Sequence, residues 1–582
     1  MSTTDTWDET VDLLVVGAGA GGLAAALTGA DHGLDVLVAE RTEFLGGTTA
    51  YSAGTCWMPD HRHQRALGLT GEREAASRYL DTLVGDKAPR ELREAYLERG
   101  PEMIDYLDRL GVRFYHSTTV VDYHPEIEGA GIGRALEPEV FDARVLGPEG
   151  LRRVRRPVPE FALFGGTLMV RRAEVGQLLR LFEWSPKAAA LALRLGVRWF
   201  FDLWRFPRGT RLAMGNALVA RLSHELTRRG GRLSFDTSVR ELVVEDGRVV
   251  GAVLAAGGVE RRVRARRGVV LAGGGFSAGG AWRAERMPHP TPQFTRASEG
   301  STGSTLEVGV AAGGTLGPDH GDNTFWFPSS IGVRRDGSRV VFPHIWDRAK
   351  PGIVAVGRSG TRFVDESVSY HRFTRAMYAS LGAQDAIPAW LVIDARALHA
   401  YGLGMIRPHT PRRVLDRYVR QGYIHRADSI AALAARIGVD PSGLEATVAA
   451  NNRFAQTGVD EEFHKGESSF GRQYGDPTHT PNVNLGPIAQ APYYALPLVP
   501  TPLGTALGLR TDTRAHVLDA DDAPIMGLYA VGNDADSVMA AEYPGAGCQV
   551  GAGLTFGYVA GRDAAGLDSV STKNPSAAVV SK

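Results

Sequence analysis

A short run of apolar residues near the start of the chain, Val11–Val16, predicts a buried strand because it is rich in valine and leucine. An alanine- and leucine-rich segment follows from Leu23 to about His32 and predicts a helix that ends at Gly33. Residues 35–39 are again mostly apolar and predict a second strand. The order strand, helix, strand is typical of a parallel βαβ unit.

The hydrophobic pattern changes later in the chain. Between residues 231 and 255, apolar and polar positions alternate around an Asp-Gly turn, which predicts a β-hairpin of the same domain. Patterns typical of helices occur at Ser429–Ile437 and Gly443–Thr457, in a region richer in proline and aromatic residues. This change in composition indicates a second kind of domain.

Residues 188–206 combine leucine, phenylalanine and tryptophan with Arg194, Arg198, Asp202 and Arg205, which recur every three or four positions. This spacing predicts an amphipathic helix with one polar face. Two interpretations stay open. The helix lies peripherally in a membrane interface, to which basic and aromatic residues are suited, or it packs on the protein or at a dimer interface.

The length and charge of the chain narrow its class. At 582 residues it exceeds one hydrophobic core, since cores stop growing at roughly 250–300 residues, so we expect at least two domains. Its 65 basic residues balance 65 acidic residues, which argues against a nucleic-acid partner. Cys56 and Cys548 are too few for a disulfide scaffold or a four-cysteine zinc site, and no metal is expected.

The first ten residues are polar and acidic and carry no secretory pattern. Nowhere does the sequence reach ~18 uncharged apolar residues in succession, so no segment is expected to span a bilayer. We therefore expect a cytoplasmic protein, with residues 188–206 at the inner face of the membrane as the open alternative.

The turn after the first strand has the spacing G-x-G-x-x-G of a dinucleotide-binding motif. Gly17 allows the tight turn, Gly19 lets backbone N–H groups approach a pyrophosphate, and Gly22 lets the helix pack close to the strand. The helix N-terminus adds a partial positive charge that faces the phosphates. Glu40, at the end of the second strand, is expected to accept hydrogen bonds from the adenosine ribose.

Two further segments favour FAD over NAD. The pair Gly46-Gly47, followed by Thr48 and Ser52, lets the backbone pass along a long, buried cofactor. Near the carboxyl end, a predicted strand ends at Gly532-Asn533, and residues 542–547 then lead into a helix that runs to about residue 565. A helix N-terminus at this position suits the ribityl and isoalloxazine end of FAD.

This enclosure of one cofactor by both ends of the chain resembles the FAD-binding family of fumarate reductases and 3-ketosteroid dehydrogenases. Residues 215–218, 268–276 and 300–303 agree with it. The resemblance covers nearly the whole chain. It implies non-covalent FAD, because residues 46–54 lack the histidine of the covalent members. The expected cofactor-binding residues are Gly17, Gly19, Gly22, Glu40, Gly46, Gly47, Thr48, Ser52, Ala272, Gly273, Gly532 and Asn533.

The expected fold class is α/β, with a Rossmann-like FAD-binding domain interrupted by an α+β substrate-capping, catalytic domain. Residues 1–276 and 491–582 are assigned to the FAD-binding domain, residues 150–212 to an insertion in it, and residues 277–490 to the capping domain. Three prolines between residues 288 and 292 argue against a second nucleotide site that begins at Gly273.

Three tyrosines lie in motifs that look like those of 3-ketosteroid Δ1-dehydrogenases. In that family, the tyrosine and a glycine of a Tyr-Pro-Gly-x-Gly element hold the 3-keto oxygen, a second tyrosine is the base, and a third assists it. The resemblance assigns Tyr543 and the Gly547 N–H to the ketone, Tyr370 to the base and Tyr123 to its partner. Trp326 matches an aromatic stretch that lines that family's pocket.

The resemblance implies proton abstraction beside the 3-keto group and hydride transfer to the flavin, which together form a C1=C2 double bond in a 3-ketosteroid. Two fixed donors at the ketone favour the enolate, and one such donor is typically worth ~2.7–4 kcal/mol. A tyrosine with an ordinary pKa of about 10 is a poor base at neutral pH unless a neighbouring hydroxyl or positive potential stabilises its anion. An external electron acceptor is the expected further partner.

Ala546 and Cys548 depart from the family motif, which puts the pocket shape and the substrate in question. The sister activity, 3-ketosteroid Δ4-(5α)-dehydrogenation, remains the first alternative. A fumarate-reductase-like activity is a weaker one, because Tyr543 and glycines stand where that subfamily places an arginine. A flavoprotein subunit without its own substrate is a further alternative, but it would not need three tyrosines in such motifs.

Overall fold

The computed structural model describes residues 6–179, 185–379 and 385–568. Strands in this part of the chain are β1 (Glu9–Val16), β2 (Val36–Ala39), β3 (Cys56–Trp57), β4 (Phe114–Ser117), β5 (Ala135–Pro138), β6 (Phe141–Asp142), β7 (Arg211–Leu212), β8 (Arg232–Ser234), β9 (Thr237–Glu245), β10 (Arg248–Ala256), β11 (Val259–Leu271), β12 (Thr324–Val333), β13 (Arg339–Pro343), β14 (Ile353–Val356), β15 (Ala389–Asp394), β16 (His425–Ala427), β17 (Tyr493–Thr505), β18 (His516–Leu518) and β19 (Pro524–Ala530).

The α-helices of the same residues are α1 (Ala20–Asp31), α2 (Arg62–Ala66), α3 (Glu72–Leu83), α4 (Arg90–Arg109), α5 (Gly147–Arg153), α6 (Arg172–Leu179), α7 (Pro186–Leu203), α8 (Met214–Arg228), α9 (Gly280–Arg286), α10 (Ser304–Ala311), α11 (Tyr370–Ala379), α12 (Ala395–Tyr401), α13 (Arg412–Arg420), α14 (Ile430–Ile437), α15 (Pro441–Thr457), α16 (Ser469–Tyr474) and α17 (Cys548–Ala564). A 3₁₀ helix spans Gly47–Tyr51.

The first sheet has its strands in the order β18-β19-β11-β1-β2-β8, and β10 joins it beside β11 with β9 as its neighbour. The central strands β19, β11, β1, β2 and β8 run parallel. Helix α1 connects β1 to β2, so the predicted βαβ unit is present. The predicted hairpin is β9 and β10, which pair antiparallel in this sheet.

Helix α17 packs directly on α1, so the two ends of the chain meet. Gly553, Gly557 and Gly561 recur every four residues and let the two backbones approach. A Cβ at Gly557 would stand 2.3 Å from the Gly21 carbonyl oxygen, and one at Gly561 would stand 2.7 Å from the Ala25 carbonyl oxygen. Because no larger residue fits at these distances, the glycines fix how closely α17 lies against α1.

The second sheet is antiparallel, with the strand order β13-β12-β17-β15-β14 and with β16 paired to β17. The sheets do not coincide with the expected limits of the capping domain. Helix α10, placed in the capping domain by its sequence, adds Leu306 and Val308 to the core of the first sheet. Strand β17, all of it expected in the FAD-binding domain, is central to the second sheet.

A buried group of charges, the Glu366 cluster, lies just before α11 begins at Tyr370. Glu366 accepts two 2.9 Å hydrogen bonds from Arg362 and lies 3.1 Å from the ammonium of Lys465. Arg362 also donates to Asp460 at 2.8 and 2.9 Å. Burial opposes ionisation of Glu366, but Arg362 and Lys465 outweigh it and lower its pKa to about 2. The charged network anchors the segment that leads into α11.

Helix α7 corresponds to the predicted amphipathic segment 188–206, and α14 and α15 correspond to the two helices predicted further on. Among the residues that the structure describes, none of the helices combines the length and apolar character required to cross a membrane.

We expect Lys465→Met to lower the free energy of unfolding by about 3 kcal/mol, because it leaves a buried negative charge short of a partner. Urea denaturation followed by tryptophan fluorescence measures this change. The matched control is Arg372→Met, which breaks a 2.6 Å ion pair with Glu126 in which both side chains are about half exposed. The control should cost less than about 1 kcal/mol. Equal losses in the two variants would contradict a stabilising role of the Glu366 cluster.

Candidate active site

A continuous cavity of about 1750 Å³ lies at the carboxyl ends of the parallel strands of the first sheet. Gly17, Glu40 and Ala272 directly follow β1, β2 and β11, Gly532 lies just beyond β19, and all four line the cavity. Ligands of open α/β sheets bind at this edge, where the loops after neighbouring strands diverge. Every residue expected to bind the cofactor lines this cavity except Gly46.

The three glycines of the first loop have different surroundings. A Cβ at Gly17 would lie 2.2 Å from the Ala272 carbonyl oxygen, and one at Gly22 would lie 2.1 Å from the Gly17 carbonyl oxygen. A Cβ at Gly19 would meet no atom within 4 Å and would project into open space. Gly17 and Gly22 are thus required for packing, whereas Gly19 keeps room beside the N-terminus of α1 for a ligand.

Glu40 is buried at the end of β2. One carboxylate oxygen accepts a 2.9 Å hydrogen bond from the Ala18 N–H, and the other accepts from the N–H and hydroxyl of Thr42 at 2.9 and 2.8 Å. Each carboxylate oxygen can accept more than one hydrogen bond, so Glu40 retains capacity for a ribose hydroxyl. It also ties the glycine loop to the segment that follows β2.

Gly46 has a positive φ of 108°, and its N–H donates to the Ala18 carbonyl at 2.8 Å. Gly46 therefore makes the turn that brings the next residues to the cavity, instead of lining it as expected. Gly47, Thr48 and Ser52 do line it. The Thr48 hydroxyl accepts a 2.9 Å hydrogen bond from the Ser298 N–H, which ties this segment to the residues before α10.

The carboxyl-terminal element closes the opposite side of the cavity. Gly547, with a φ of 93°, precedes α17, and a Cβ there would lie 2.1 Å from the Thr55 carbonyl oxygen. Asn533 and the first turn of α17 face the cavity. Asp534 accepts hydrogen bonds from the N–H groups of Gly273 and Gly275 at 2.6 and 2.9 Å. The sequence did not indicate Asp534 as a residue of this site. It joins the two strand ends that carry the predicted residues.

This geometry fits FAD. The N-termini of α1 and α17 border the cavity, and the Glu40 carboxylate lines it at the end of β2. At Gly19 and Gly532 the absence of a side chain leaves open space for a ligand. Gly17–Gly22, Glu40, Thr48 and Asn533 are the residues that would hold the dinucleotide and the flavin.

The three predicted tyrosines meet at the other end of the same cavity. Their ring centroids lie 5.4 Å apart for Tyr123 and Tyr543, 5.4 Å for Tyr123 and Tyr370, and 5.3 Å for Tyr370 and Tyr543. The Tyr123 hydroxyl donates to the Tyr370 hydroxyl at 3.1 Å. The Gln549 amide, which the sequence did not indicate, donates to the Tyr543 hydroxyl at 3.4 Å.

Three separate chain segments hold this cluster in place. Tyr370 is the first residue of α11, behind the Glu366 cluster, and Tyr543 precedes α17. The Tyr123 N–H donates to the Pro544 carbonyl at 2.9 Å, and the Tyr79 hydroxyl donates to the same carbonyl at 2.7 Å. These bonds join the loop of Tyr123 to the Tyr543 element and fix the distance between two of the phenols.

Burial, the largest cause, raises the pKa of all three phenols above the ordinary value. Their mutual electrostatic repulsion raises the pKa of Tyr370 further. The phenols are therefore neutral hydrogen-bond donors at neutral pH, and deprotonation of Tyr370 requires help from higher pH or from the ligand.

The rest of the cavity lining is mixed, with apolar side chains such as Phe161 and Leu163 and polar ones such as Lys350 and Gln473. Phe327, whose ring lies 4.4 Å from that of Tyr370, lines the cavity together with Leu195 of α7. Trp326 does not line the cavity as expected. It is fully buried on the other side of β12, where its indole N–H donates to Asp322 at 3.0 Å. Side chains alternate across a strand, so of the neighbours Trp326 and Phe327 only Phe327 faces the cavity.

Helix α7 turns two of its four predicted polar residues, Arg198 and Asp202, toward the protein, and leaves Arg194 and Arg205 exposed. Arg198 forms a 2.9 Å ion pair with Asp142, and Asp202 accepts a 2.8 Å hydrogen bond from the Thr210 N–H. The outer surface of the helix also carries aromatic side chains, with Phe201 62% and Trp204 85% exposed. The helix therefore packs on the cavity with one side and exposes an aromatic surface on the other.

A family model described as an FAD binding domain matches residues 12–550 of the chain. The 3-oxosteroid 1-dehydrogenase of Mycolicibacterium smegmatis is 35% identical and is matched over 97% of this chain and 98% of its own. The 4-oxocyclohex-2-ene-1-carboxylate 5-dehydrogenase of Sinomonas cyclohexanicum is 36% identical, over 96% and 94%.

Among solved structures, the 3-ketosteroid delta1-dehydrogenase of Sterolibacterium denitrificans, in complex with 1,4-androstadiene-3,17-dione, is similar to this chain with a TM-score of 0.88 and 33% identity. The match covers 96% of this chain and 100% of that one. The fold and the cavity thus define an FAD-dependent oxidoreductase. The chain belongs to the FAD binding domain family that includes the 3-oxosteroid 1-dehydrogenases, as the resemblance in its motifs implied.

We expect Gly19→Val to fold normally but to lose FAD, because its side chain would enter open cavity beside the N-terminus of α1. Its backbone, with φ of −78°, suits valine. Flavin absorbance per chain after gel filtration should fall at least about tenfold, with unchanged far-UV circular dichroism.

The matched control is Gly279→Val, where a Cβ also meets open space but lies outside the cavity lining. It should retain FAD. Full FAD retention in Gly19→Val would show that the pyrophosphate does not occupy this loop.

Proposed function

We propose that this protein is an FAD-dependent 3-ketosteroid Δ1-dehydrogenase, which introduces a C1=C2 double bond into a 3-ketosteroid. The observation that carries the proposal is the convergence of Tyr123, Tyr370 and Tyr543 at the junction between the dinucleotide cradle and the rest of the cavity. The names of the 35% identical relative and of the solved structure with 1,4-androstadiene-3,17-dione support it.

Two hydrogen-bond donors are available for the 3-keto oxygen. The Tyr543 hydroxyl lines the cavity as a neutral phenol, and the Gly547 N–H has no acceptor among the described residues. Stabilisation of the developing enolate by two such donors makes the neighbouring C–H bond acidic. Their action requires no charge on the protein.

Tyr370 removes the proton, and Tyr123 stabilises the resulting phenolate through the hydrogen bond at 3.1 Å between the two hydroxyl groups. Bound FAD supplies the oxidation by accepting a hydride from the adjacent carbon. The surrounding residues exclude water from the proton-transfer site, since all three tyrosines are buried.

The apolar residues that line the cavity support a multi-ring substrate over a single-ring ketone such as the one named in the Sinomonas relative. Phe161, Phe327 and Leu195 of α7 are among these residues. Desaturation at the Δ4-(5α) position is the second candidate activity, because it requires the same apolar shape and differs in how the ring system lies over the flavin.

A dicarboxylate reductase is disfavoured by the positions of the arginines near the predicted base. Arg362 is committed to the buried Glu366 cluster, and Arg372 pairs with Glu126 at 2.6 Å. Neither residue lines the cavity. Neither of these two arginines is therefore available to hold a carboxylate of a dicarboxylate substrate.

We further propose that FAD is bound non-covalently and is reoxidised by an external electron acceptor. The FAD-binding domain is formed from both ends of the chain, with the insertion at 150–212, and the capping domain is built on the second sheet. We place the limits of the capping domain near residues 317 and 505, because α10 packs on the first sheet and β17 belongs to the second.

We also propose that α7 docks the protein on the inner face of the membrane. Its outer surface exposes Phe200, Phe201 and Trp204, and the exposed Arg194 and Arg205 flank them. Aromatic and basic residues on one helix suit the headgroup boundary of an anionic bilayer. Since the inner surface of α7 lines the cavity, a membrane-dissolved steroid would reach it by a short path.

We expect Tyr370→Phe to retain FAD and to lose roughly 10²–10⁴-fold in kcat with a 3-keto-4-ene steroid and an artificial electron acceptor. Because the pKa of Tyr370 is raised, its active phenolate fraction is small at pH 7, and the wild-type rate should increase toward pH 9. The residual rate of the variant should not depend on pH in this range.

Tyr401→Phe is the matched control, since Tyr401 hydrogen-bonds Asp476 and does not line the cavity. It should keep wild-type turnover. Near-wild-type turnover in Tyr370→Phe, with the pH dependence intact, would remove Tyr370 from the role of base.

We expect Phe201→Ser combined with Trp204→Ser to reduce binding to phosphatidylglycerol-containing vesicles at least about tenfold, because two exposed aromatic side chains no longer enter the bilayer. Co-sedimentation measures the bound fraction. The control pair, Val244→Ser and Val259→Ser, removes exposed apolar side chains on the β9–β11 hairpins and should leave it unchanged. If the aromatic variant keeps its vesicle affinity but shifts a dimer to monomer, α7 is instead a contact between two copies.

A further inference from the structure

The wall of the cavity contains a charged side chain that the proposed chemistry does not use. Arg296 lines the cavity, and its guanidinium has no hydrogen-bond or ion-pair partner among the described residues. Its nearest recorded side-chain contact is the ring of Tyr51, whose centroid lies 5.9 Å from the guanidinium carbon. Burial lowers the pKa of Arg296 to about 10, so the group remains charged at neutral pH.

Two arginines close to Arg296 have carboxylate partners. Arg155, on the other side of Tyr51, binds Glu299 at 2.6 and 2.7 Å. Arg334 binds Glu160 through two hydrogen bonds of 2.7 and 2.9 Å. Glu160 is the carboxylate that acts on Arg296, but Arg334 donates to both of its oxygens and balances its negative charge. Arg296 is therefore left without a carboxylate of its own at the cavity wall.

An enclosed cation without a partner is unfavourable, because it loses hydration and gains no ion pair. A ligand that brings an anionic group to Arg296 removes this cost. The planar guanidinium fits a carboxylate especially well, because two parallel N–H donors match its two oxygens.

Arg296 lies on the same wall of the cavity as the predicted base. Its backbone N–H donates to the Pro502 carbonyl at 2.9 Å, and Pro502 pairs with Trp326, the neighbour of Phe327. The ring of Phe327 in turn contacts Tyr370. These contacts place the backbone of Arg296, and its guanidinium is influenced by Tyr51 and by Glu160, which lines the cavity next to Phe161.

We propose that Arg296 binds a carboxylate of the substrate, so that the pocket selects cyclic ketones that carry a carboxylate. The inference depends on the proposed function, since it concerns the substrate of the same site. The carboxylate has two sources: the side chain of a multi-ring ketone, or the ring of a single-ring ketone. Arg296 is a specificity-determining residue and takes no part in the proton transfer.

The test compares FAD-loaded wild type with Arg296→Met, which removes the charge at similar volume, and Arg296→Lys, which keeps it. Each protein is assayed with 3-oxoandrost-4-ene-17-carboxylate and its methyl ester, and with 4-oxocyclohexanecarboxylate and its methyl ester. We expect Arg296→Met to raise KM for an acid at least about tenfold, with kcat and the values for the ester unchanged. Arg296→Lys should recover part of the loss.

The acid that shows the effect identifies the source of the carboxylate. Equal changes for acid and ester, or no change for either acid, would overturn the inference. The inference would also be overturned if Arg296→Met changed the flavin midpoint potential and lost equal activity with acid and ester. Arg296 would then act on the cofactor.

A binding measurement separates this inference from the proposed function. Thermal shift of the FAD-loaded proteins by each acid and ester reports binding without turnover. One outcome is that wild type oxidises none of the ketones, that an acid stabilises it more than the ester does, and that Arg296→Met shows no such difference. The proposed function then fails, and the carboxylate site stands. The opposite outcome is that the esters are turned over and neither acid binds more tightly than its ester. The proposed function then stands, and the carboxylate site is overturned.

Discussion

The rest of the structure depends on the close packing of α17 against α1. Gly557 and Gly561 leave no room for a side chain against α1, and this contact holds the carboxyl-terminal helix close to the helix that follows the loop after β1. It acts together with the pairing of β19 and β11, which places Asn533, to hold the element with Tyr543 and Gly547 at the dinucleotide cradle. A packing requirement far from any reacting group therefore sets the positions of the groups at both ends of the cavity.

Local sequence determined the parts of the fold that are governed by local rules. The glycine motif and the apolar runs around it were enough to predict β1, α1 and β2, because tight turns and close helix packing leave few alternatives to glycine. The grouping of the three tyrosines was different. Positions 123, 370 and 543 are distant in sequence, and only the resemblance to a family indicated that they meet.

Other features could not be predicted because they depend on tertiary contacts. The place of β17 in the second sheet was not evident, because it contains several prolines, which are uncommon in central strands. The outward side of α7 was not evident, since Arg198 and Asp202 look like a solvated face until Asp142 and Thr210 are brought to them. Asp534 contacts Gly273, which is distant in the sequence. Gln549 contacts Tyr543 but belongs to no sequence motif that would have indicated it.

The burial of the phenols has two opposing effects on the proposed reaction. Loss of hydration raises the pKa of Tyr370 and so reduces the fraction of it that can act as a base at neutral pH. The same loss of water strengthens every hydrogen bond to a developing enolate, because the effective dielectric constant is low. Among the described residues, no arginine or lysine has a recorded contact with the three rings, and a cation there would stabilise the phenolate permanently. The site therefore favours proton removal only when a ketone is in place to receive the negative charge, which links the base to the presence of its substrate.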